Sequence, residues 1–401
     1  MKTNKFAVFL FALTILVIFA FPYYQNANAL TNTALTTNTV QFSDQSRPKI
    51  EVVFVLDTTS SMNGMIQAAK EKIWSIASSM ASAQSAPEIK MGLVAFRDRG
   101  DAYVTKVIDL SSDLDSMNAK LLDFRAEGGG DGPESVNQAL YEAVNKISWS
   151  MNQNAYKVIF LVGDAPPHTD YENDVQYPES LQMADQKGIV INTIQCGQQT
   201  TTKIQWQQIA SLGKGRYFQV EQAGSAVAIS TPYDKQLASL ASQLDATRLY
   251  YGNQQEQKRQ QKKQNVARKL DTHASEESLA RRAMFNVSKS GSNNFLGEKE
   301  LVDAVSSGRI GLASIDQKQL PKAMQTMAVE KQQQIILKKS KRRKQLKHEI
   351  AVLSEKRNDH IEQQLKEQGG ALDSLDQQIY ATVRAQASKK GFIYEDDHAK
   401  Y

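Results

Sequence analysis

The sequence predicts an α/β protein, with a doubly wound, mostly parallel sheet that has one antiparallel edge strand and is followed by a charged helical tail. Three observations support this fold class. Between residues 50 and 247, short apolar and β-branched stretches alternate with segments of helical spacing. One strand-like stretch follows its predecessor after only a tight turn, which is typical of an antiparallel edge pair. After residue 300 the chain becomes rich in charged, helix-forming residues.

The predicted elements follow one another in a regular order. Strands are predicted at residues 50–56, 91–96, 104–110, 158–162, 189–194 and 217–220. Helices are predicted at residues 65–80, 114–124, 136–147, 180–187, 204–212 and 234–244. The stretch at 104–110 is the one expected to pair antiparallel at an edge. Strand–helix alternation over about 200 residues indicates a sheet with helices on both faces.

The start of the chain reads as a secretory signal. Lys2 and Lys5 are followed by an apolar run at 6–21 and by the small residues Ala-Asn-Ala at 27–29. We therefore predict a signal peptide at 1–29 and an exported protein, either periplasmic or secreted to the extracellular medium. The apolar run is short for a membrane span, which needs about 20 residues. An uncleaved anchor is the alternative, and no later segment is apolar enough to span a bilayer.

Charge divides the chain into two parts. The chain has 401 residues, which is enough for one sizeable domain with extensions or for two domains. Its net charge is +5. Residues 1–248 hold 20 Lys and Arg against 24 Asp and Glu, a net of −4, and residues 249–401 hold 28 against 19, a net of +9. An acidic front joined to a basic tail suggests two differently solvated parts.

Composition sets the domain boundaries. Residues 30–48 are predicted as a flexible linker, and 49–247 as the α/β domain. Residues 248–300 are predicted as a polar linker, disordered or weakly helical where Gln, Lys, Arg and Ser dominate. Residues 301–395 form the predicted charged helical tail. A Gly-Gly break at 369–370 favours a helical hairpin there over a long coiled coil, because the heptads are not sustained.

Three predicted loops carry oxygen ligands at the carboxyl ends of strands. They are Asp-Thr-Thr-Ser-Ser at 57–61, Gly-Gly-Gly-Asp-Gly-Pro-Glu at 128–134 and Gly-Asp-Ala-Pro-Pro-His at 163–168. In an open α/β sheet, ligands bind beyond this edge, near the point where the strand order reverses. A hard divalent cation collects about six oxygens, and glycines let a backbone approach without Cβ clashes. The loops together predict such a cation site.

The first loop fits the Asp-x-Ser-x-Ser pattern of a metal-ion-dependent adhesion site. It resembles the first metal loop of a von Willebrand factor A domain, with Thr59 where that family usually has Ser. The resemblance covers residues 49–247. Within the family, the chain looks most like the secreted and bacterial branch. It implies Asp57, Thr59 and Ser61 as ligands from the first loop and Asp164 from the third. Mg²⁺ is the favoured cation, with Ca²⁺ and Mn²⁺ as alternatives.

The second loop departs from the adhesion-receptor form, which places a Thr near Asp131. Asp131 is therefore the candidate ligand at that position, and Glu134 is either a reserve ligand or a first-turn helix residue favoured by the dipole. Two carboxylates roughly cancel a divalent charge, and a third makes the cluster net negative. We expect a cation that is mainly structural, or one that contacts neutral oxygens of a partner.

For several other sequence features we favour a structural role over a functional one. Arg99-Gly100-Asp101 falls in a turn where Gly and Asp are expected for backbone reasons, so we do not predict a cell-adhesion role. His168 suits loop packing better than an oxygen-lined hard-cation site. Cys196, the single cysteine, is predicted to be buried at a strand end and not a reactive thiol.

Two classes of function remain open. The favoured one is an exported, non-enzymatic module that binds an unidentified partner protein, with no nucleic acid expected. A metal-dependent hydrolase is the first alternative, although the loops lack an obvious general base, nucleophile or phosphate-cradling lysine. The second is an envelope scaffold that acts through its tail, whose basic run at 338–344 is a candidate for binding an anionic envelope surface.

Overall fold

A six-stranded sheet forms the centre of the molecule. The computed structural model describes residues 47–84, 86–130, 132–220, 229–367 and 375–394. The strands are β1 (Lys49–Asp57), β2 (Glu88–Phe96), β3 (Thr105–Ser111), β4 (Tyr156–Gly163), β5 (Ile189–Cys196) and β6 (Lys214–Val220). Their order in the sheet is β3-β2-β1-β4-β5-β6. Neighbours are parallel except β2 and β3, so the predicted antiparallel edge strand is confirmed.

Twelve α-helices surround and extend the sheet in the described part of the chain. The first six are α1 (Ile66–Met80), α2 (Leu114–Asp123), α3 (Val136–Asn145), α4 (Tyr177–Gln186), α5 (Thr200–Leu212) and α6 (Asp234–Asp245). The others are α7 (Gln254–His273), α8 (Glu276–Val287), α9 (Gly291–Leu296), α10 (Leu301–Ser306), α11 (Val329–Glu367) and α12 (Leu375–Ser388). None of them is long and apolar enough to cross a membrane.

Alternation along β1 places successive side chains in two separate cores. Ile50, Val52, Phe54 and Leu56 join a cluster with residues of α1, α2 and α12. The intervening side chains of Val53 and Val55 join a second cluster with residues of α3, α4 and α5. Because β1 is buried on both faces, its residues 52–56 form a continuous apolar run, as expected of a central parallel strand. The doubly wound α/β fold predicted from the sequence is confirmed.

The structure differs from the prediction for the polar stretch at 253–292. Instead of a disordered or weakly helical segment, these residues form α7, α8 and the start of α9. A few apolar side chains, among them Leu270, Ala280 and Ala283, are buried against neighbouring helices. Ion pairs add to these apolar contacts: Lys263 pairs with the N-cap carboxylate of α2, and Arg282 pairs with a carboxylate within α2. Sparse apolar contacts and long-range ion pairs leave little periodicity in the sequence.

The last described helix packs on the sheet. Ile379, Tyr380 and Val383 of α12 are buried in the cluster that contains β1 and α1, and Lys72 of α1 pairs with Asp376 at 2.6 Å. From Pro48 onwards the chain forms one compact unit. The turn of the predicted hairpin, 368–374, lies outside the described residues. So do the predicted signal peptide and nearly all of the linker, and the domain boundaries themselves stay predictions.

Candidate metal centre

Asp57, the last residue of β1, anchors the first loop. Its side chain is fully buried, and its Oδ1 accepts hydrogen bonds from the Thr59 amide at 2.9 Å and the Thr59 hydroxyl at 2.7 Å. An aspartate that bonds to the backbone two residues ahead turns the chain sharply. The turn leads through a short 3₁₀ segment, Ser60–Met62, into α1. The same turn brings the hydroxyls of the loop round to the carboxylate.

The third loop meets the first because β1 and β4 are adjacent. Gly163 ends β4 so close to Asp57 that a Cβ there would lie 2.6 Å from the Asp57 Cβ. The next residue, Asp164, accepts a hydrogen bond at Oδ1 from the Ser61 hydroxyl at 2.9 Å. The Ser61 hydroxyl in turn lies 3.0 Å from that of Thr59. Asp57, Thr59, Ser61 and Asp164, four of the predicted ligands, are thus brought together.

The fifth predicted ligand, Asp131, lies outside the described residues, but the loop that carries it lies against the first. The Ser60 amide donates to the Gly128 carbonyl at 2.9 Å, and the Glu127 amide donates to the Thr58 carbonyl at 3.0 Å. A Cβ on Gly129, where φ is +77°, would lie 3.1 Å from both the Thr59 Cβ and the Glu134 Oε1. Only glycine fits this approach without displacement.

Glu134 belongs to the same cluster of carboxylates. It precedes α3, which begins at Val136, so it is not the first-turn residue that the sequence suggested as one alternative. Its amide donates to the Pro166 carbonyl at 2.9 Å, and its carbonyl accepts from the His168 amide at 3.0 Å, which joins the second and third loops. Its side chain is only 2% exposed.

Burial and mutual repulsion raise the pKa values of the carboxylates in the cluster. Burial, followed by the nearby Asp164 carboxylate, raises the pKa of Asp57 to about 7. Burial, followed by the carboxylates of Asp57, Asp98, Asp101 and Asp164, raises the pKa of Glu134 to about 9. Burial also raises the pKa of Asp164. These carboxylates crowd one another in a buried place, which favours their neutral forms.

Two buried carboxylate oxygens are consistent with a bound cation. Asp57 Oδ2 and Glu134 Oε2 are buried and have no hydrogen-bond partner in the described parts of the chain. A metal ion would stabilise buried carboxylate oxygens in that state. No three His, Cys, Asp or Glu side chains among the described residues are placed to hold a metal by themselves. The Thr59 and Ser61 hydroxyls would therefore complete an all-oxygen donor set, which suits a hard divalent cation.

The Arg99-Gly100-Asp101 turn supports the glycine loop. Asp101 Oδ2 accepts hydrogen bonds from the amides of Gly129 at 2.8 Å and Asp98 at 3.1 Å. The Arg99 guanidinium lies 3.9 Å from the centroid of the Tyr171 ring and pairs with Asp174 at 2.5 Å. These contacts give the tripeptide a structural role. Sequence reasoning missed Asp101 as the residue that orients the glycine loop, because the two are 28 positions apart.

A second polar network lies behind the loops. Asp98 accepts hydrogen bonds from the Ser135 hydroxyl at 2.8 Å and from the Tyr171 hydroxyl at 2.9 Å. The His168 ring stacks on Tyr171 at 4.0 Å between centroids, and its Nδ1 lies 2.8 Å from Asp170 Oδ1. His168 therefore packs within its loop, as predicted. Cys196 is buried at the end of β5, also as predicted, and burial raises the pKa of its thiol.

Comparison with known proteins matches the sheet region to one family. Residues 51–232 match the model of the von Willebrand factor A domain, somewhat less than half of the chain. No curated protein matches the sequence.

Solved structures with a similar fold include proximal thread matrix protein 1 from the mussel byssus, at 17% identity and a TM-score of 0.34. The similarity covers 44% of this chain and 42% of the mussel chain, so it spans about two fifths of that protein. Another structure of the mussel protein has a zinc-occupied metal-ion-dependent adhesion site, at 17% identity, the same coverage and a TM-score of 0.35. A von Willebrand factor type A protein from Catenulispora acidiphila matches at 17% identity and a TM-score of 0.34, covering 43% of this chain and 39% of that one. At this level the similarities carry no inference about function.

Proposed function

We propose that the protein is an exported, non-enzymatic module that holds a divalent cation at the carboxyl edge of its sheet and binds a partner protein there. The observation that carries the proposal is the hydrogen-bonded cluster of Asp57, Thr59, Ser61 and Asp164. The von Willebrand factor A match over residues 51–232 supports it, because that fold commonly mediates protein–protein interactions. Mg²⁺ is the cation we propose, since all donors are oxygens, with Ca²⁺ and Mn²⁺ as alternatives.

The residues of the cluster divide the work between charge and position. Asp57 and Asp164 would supply the negative charge, and Thr59 and Ser61 would supply neutral oxygens. A bound cation would offer a Lewis-acidic position for an oxygen of the partner. Gly128 and Gly129, held by Asp101, keep the second loop against the first. The fully buried Asp57 is fixed by Thr59, whereas Ser61 lies at the exposed side where a partner would approach.

The number of carboxylates determines how strongly a partner is held. Asp131 would be a third carboxylate beside Asp57 and Asp164, and would leave the loaded cluster net negative. We therefore propose a mainly structural cation, or one that contacts neutral partner oxygens. Replacing Asp131 with Ala should weaken cation binding, and replacing it with Thr should restore a donor without charge. Cation affinity measured by calorimetric titration would refute the Asp131 assignment if Asp131→Ala bound as tightly as the wild type.

Capture of partners tests the function itself. Purified full-length protein is incubated with source membranes in Mg²⁺ or in a chelator, alongside Asp164→Asn and the control Asp185→Asn, which changes an exposed carboxylate of α4. We expect capture only with Mg²⁺, lost in Asp164→Asn and kept in the control. Metal-dependent hydrolysis of a phosphomonoester that Asp164→Asn abolishes would instead support the hydrolase alternative.

The structure changes how the scaffold alternative must be tested. Deleting the tail would remove α12 from the core of the sheet, so the loss of partner capture could reflect unfolding. Charge reversal of Lys338, Lys341 and Lys344, all exposed on α11, leaves the core intact. Capture that survives chelation and Asp164→Asn but is lost in this triple variant would favour an envelope scaffold.

A further inference from the structure

A cavity of about 300 Å³ lies between α1 on the sheet and the helices α8 and α11. Apolar side chains, including Met284, Phe285 and Val287 of α8, form much of its wall. Polar groups from all three helices also face it, among them Ser78 of α1, Arg281 of α8 and Asn358 of α11. Its size lies at the lower end of the range for small-molecule sites, which combine apolar walls with a few placed polar groups.

Arg281 is the most unusual group in this wall. Its side chain is more than nine-tenths buried, since the residue is 6% exposed. Its Nε has no hydrogen-bond partner in the part of the chain that the structure describes, and the same holds for Ser78 Oγ and Asn358 Oδ1. Buried polar groups are normally satisfied, so three such atoms around one cavity need an explanation. A ligand with polar atoms at one end would provide it.

A second buried arginine, Arg357, lies near Arg281. The pKa of Arg357 is lowered first by burial and next by the positive charge of Arg281. The Arg357 Nε donates to Asp234 at 2.6 Å, but its two terminal nitrogens are buried without a partner in the described residues. The other buried carboxylate nearby, Asp376, pairs with Lys72 at 2.6 Å.

Arg281 has no direct ion pair among the described residues. Asp234 pairs with Arg357, and Asp376 pairs with Lys72. Glu277 and Asp376 act on the two arginines only at longer range. Glu355 also lines the cavity, but it is exposed and no ion pair joins it to Arg281 in the described residues. An unpaired buried charge is costly in a protein interior. A carboxylate in the cavity would give Arg281 the direct partner that the described residues do not.

We infer that the cavity between α1, α8 and α11 binds a small organic anion, a single carboxylate on an apolar body, with the carboxylate on the Arg281 guanidinium. The fork of guanidinium donors matches the two oxygens of a carboxylate. Ser78 would donate a further hydrogen bond, and the apolar body would lie along Met284, Phe285 and Val287. This site is independent of the cation loops, because none of its lining residues belongs to them.

The test uses the full-length protein and two probes of equal shape, 2-naphthoate and its neutral amide, 2-naphthamide. Calorimetric titration should show one 2-naphthoate per chain and binding of the amide at least about tenfold weaker, as expected for loss of a charged hydrogen bond. Arg281→Met should weaken 2-naphthoate at least about tenfold and leave the amide unchanged. Arg268→Met, an exposed site on α7, is the matched control and should change neither.

A second variant keeps the inference testable if Arg281→Met fails to fold. Ala351 is exposed on α11 and lines the cavity, so Ala351→Phe fills it without disturbing the core. This variant should weaken both probes. The inference is overturned if 2-naphthoate does not bind at millimolar concentration, if the amide binds equally well, or if Ala351→Phe leaves both probes unaffected.

Discussion

At the scale of single residues, the proton affinity of the carboxylates in the cation loops makes the free energy of unfolding depend on pH. Burial and the neighbouring Asp164 raise the pKa of Asp57 to about 7, and burial and four carboxylates raise that of Glu134 to about 9. A carboxyl group whose pKa is raised by folding binds its proton more tightly in the native state. Between pH 4 and 7, and without cation, Asp57 and Glu134 therefore hold more protons in the native protein than in the unfolded chain, and their contribution to the free energy of unfolding falls as the pH rises.

Cation binding should reverse this loss of stability. The penalty from Asp57 reaches its full size once the pH exceeds its raised pKa. Because a cation displaces the protons, the rise in Tm caused by Mg²⁺ should be small at pH 5 and grow through pH 8. Thermal unfolding in Mg²⁺ and in chelator at each pH measures it. A Mg²⁺-induced rise in Tm that did not change with pH would contradict this account of the carboxylates.

The sequence predicted that Asp57 and Asp164 would lie together, and the structure brings them together; that they bind a cation stays a prediction. Asp57 ends β1 and Asp164 follows the adjacent strand β4, so their meeting follows from topology. Glu134 and Asp101 were harder to predict. The burial of Glu134 depends on a bridge to Pro167 in another loop, and Asp101 acts on Gly129 across two loops. Such loop–loop contacts leave no periodic signal in the sequence.

At the scale of elements, buried ion pairs join the sheet to the helices that follow it. Arg282 of α8 makes a bidentate pair with Asp115 of α2, with both nitrogen–oxygen distances 2.8 Å, and both side chains are buried. It also contacts Asp245 at 2.8 Å. The Arg282 guanidinium holds the pKa of the Asp115 carboxyl well below its usual range. The pair therefore positions α8 against α2, and Asp115 and Asp245 together occupy the donors of Arg282.

Removing one partner of this pair should be costly. Arg282→Met leaves the Asp115 carboxylate buried without compensation, and we expect a loss of about 3–5 kcal/mol in the free energy of unfolding. Asp115→Leu combined with Arg282→Met should recover much of it, because two apolar groups need no counter-charge. Urea unfolding measures both. If the double variant were less stable than Arg282→Met alone, the explanation by an unpaired buried charge would be wrong.

The position of α12 makes a second prediction at this scale. Ile379 is 2% exposed within the cluster that contains β1 and α1, so Ile379→Ala should cost about 2–5 kcal/mol in the free energy of unfolding. Leu337→Ala on α11, at a side chain that is 71% exposed, is the control and should change it by under about 0.5 kcal/mol. Equal effects in the two variants would show that α12 does not stabilise the sheet.

The sequence predicted helices for the tail but not where they pack. Steps of four between Leu375, Ile379 and Val383 identify a helix with one apolar face. The Gly-Gly break at 369–370 led to the prediction of a helical hairpin, whose turn lies outside the described residues. The apolar face of this helix packs on α1 and β6 of the sheet, more than 150 residues earlier in the chain. Helical periodicity reports that a face is buried and does not identify its partner.

At the scale of the whole molecule, the acidic front and basic tail are joined by their charges. Arg282 joins the two halves, since it belongs to the second and pairs with Asp115 of the first. Arg343 is also directed inward, where it pairs with Glu300 of its own half at 2.9 Å and donates hydrogen bonds to Thr247 of the first half. The predicted basic run at 338–344 therefore contributes to the interior through Arg343 and to the surface through Lys338, Lys341 and Lys344. Part of the charge asymmetry seen in the sequence thus serves packing and is not available to an external anionic surface.

We propose that the three loops, all within one compact unit, hold one divalent cation. Calorimetric titration of the full-length protein with Mg²⁺, Mn²⁺ and Ca²⁺ at pH 8 tests it most directly, with Asp164→Asn as the test variant and Asp185→Asn as the control. We predict one cation per chain in the wild type and the control, and at least about a hundredfold weaker binding in Asp164→Asn. No binding of any of the three cations to the wild type, or equal binding to Asp164→Asn, would contradict the claim.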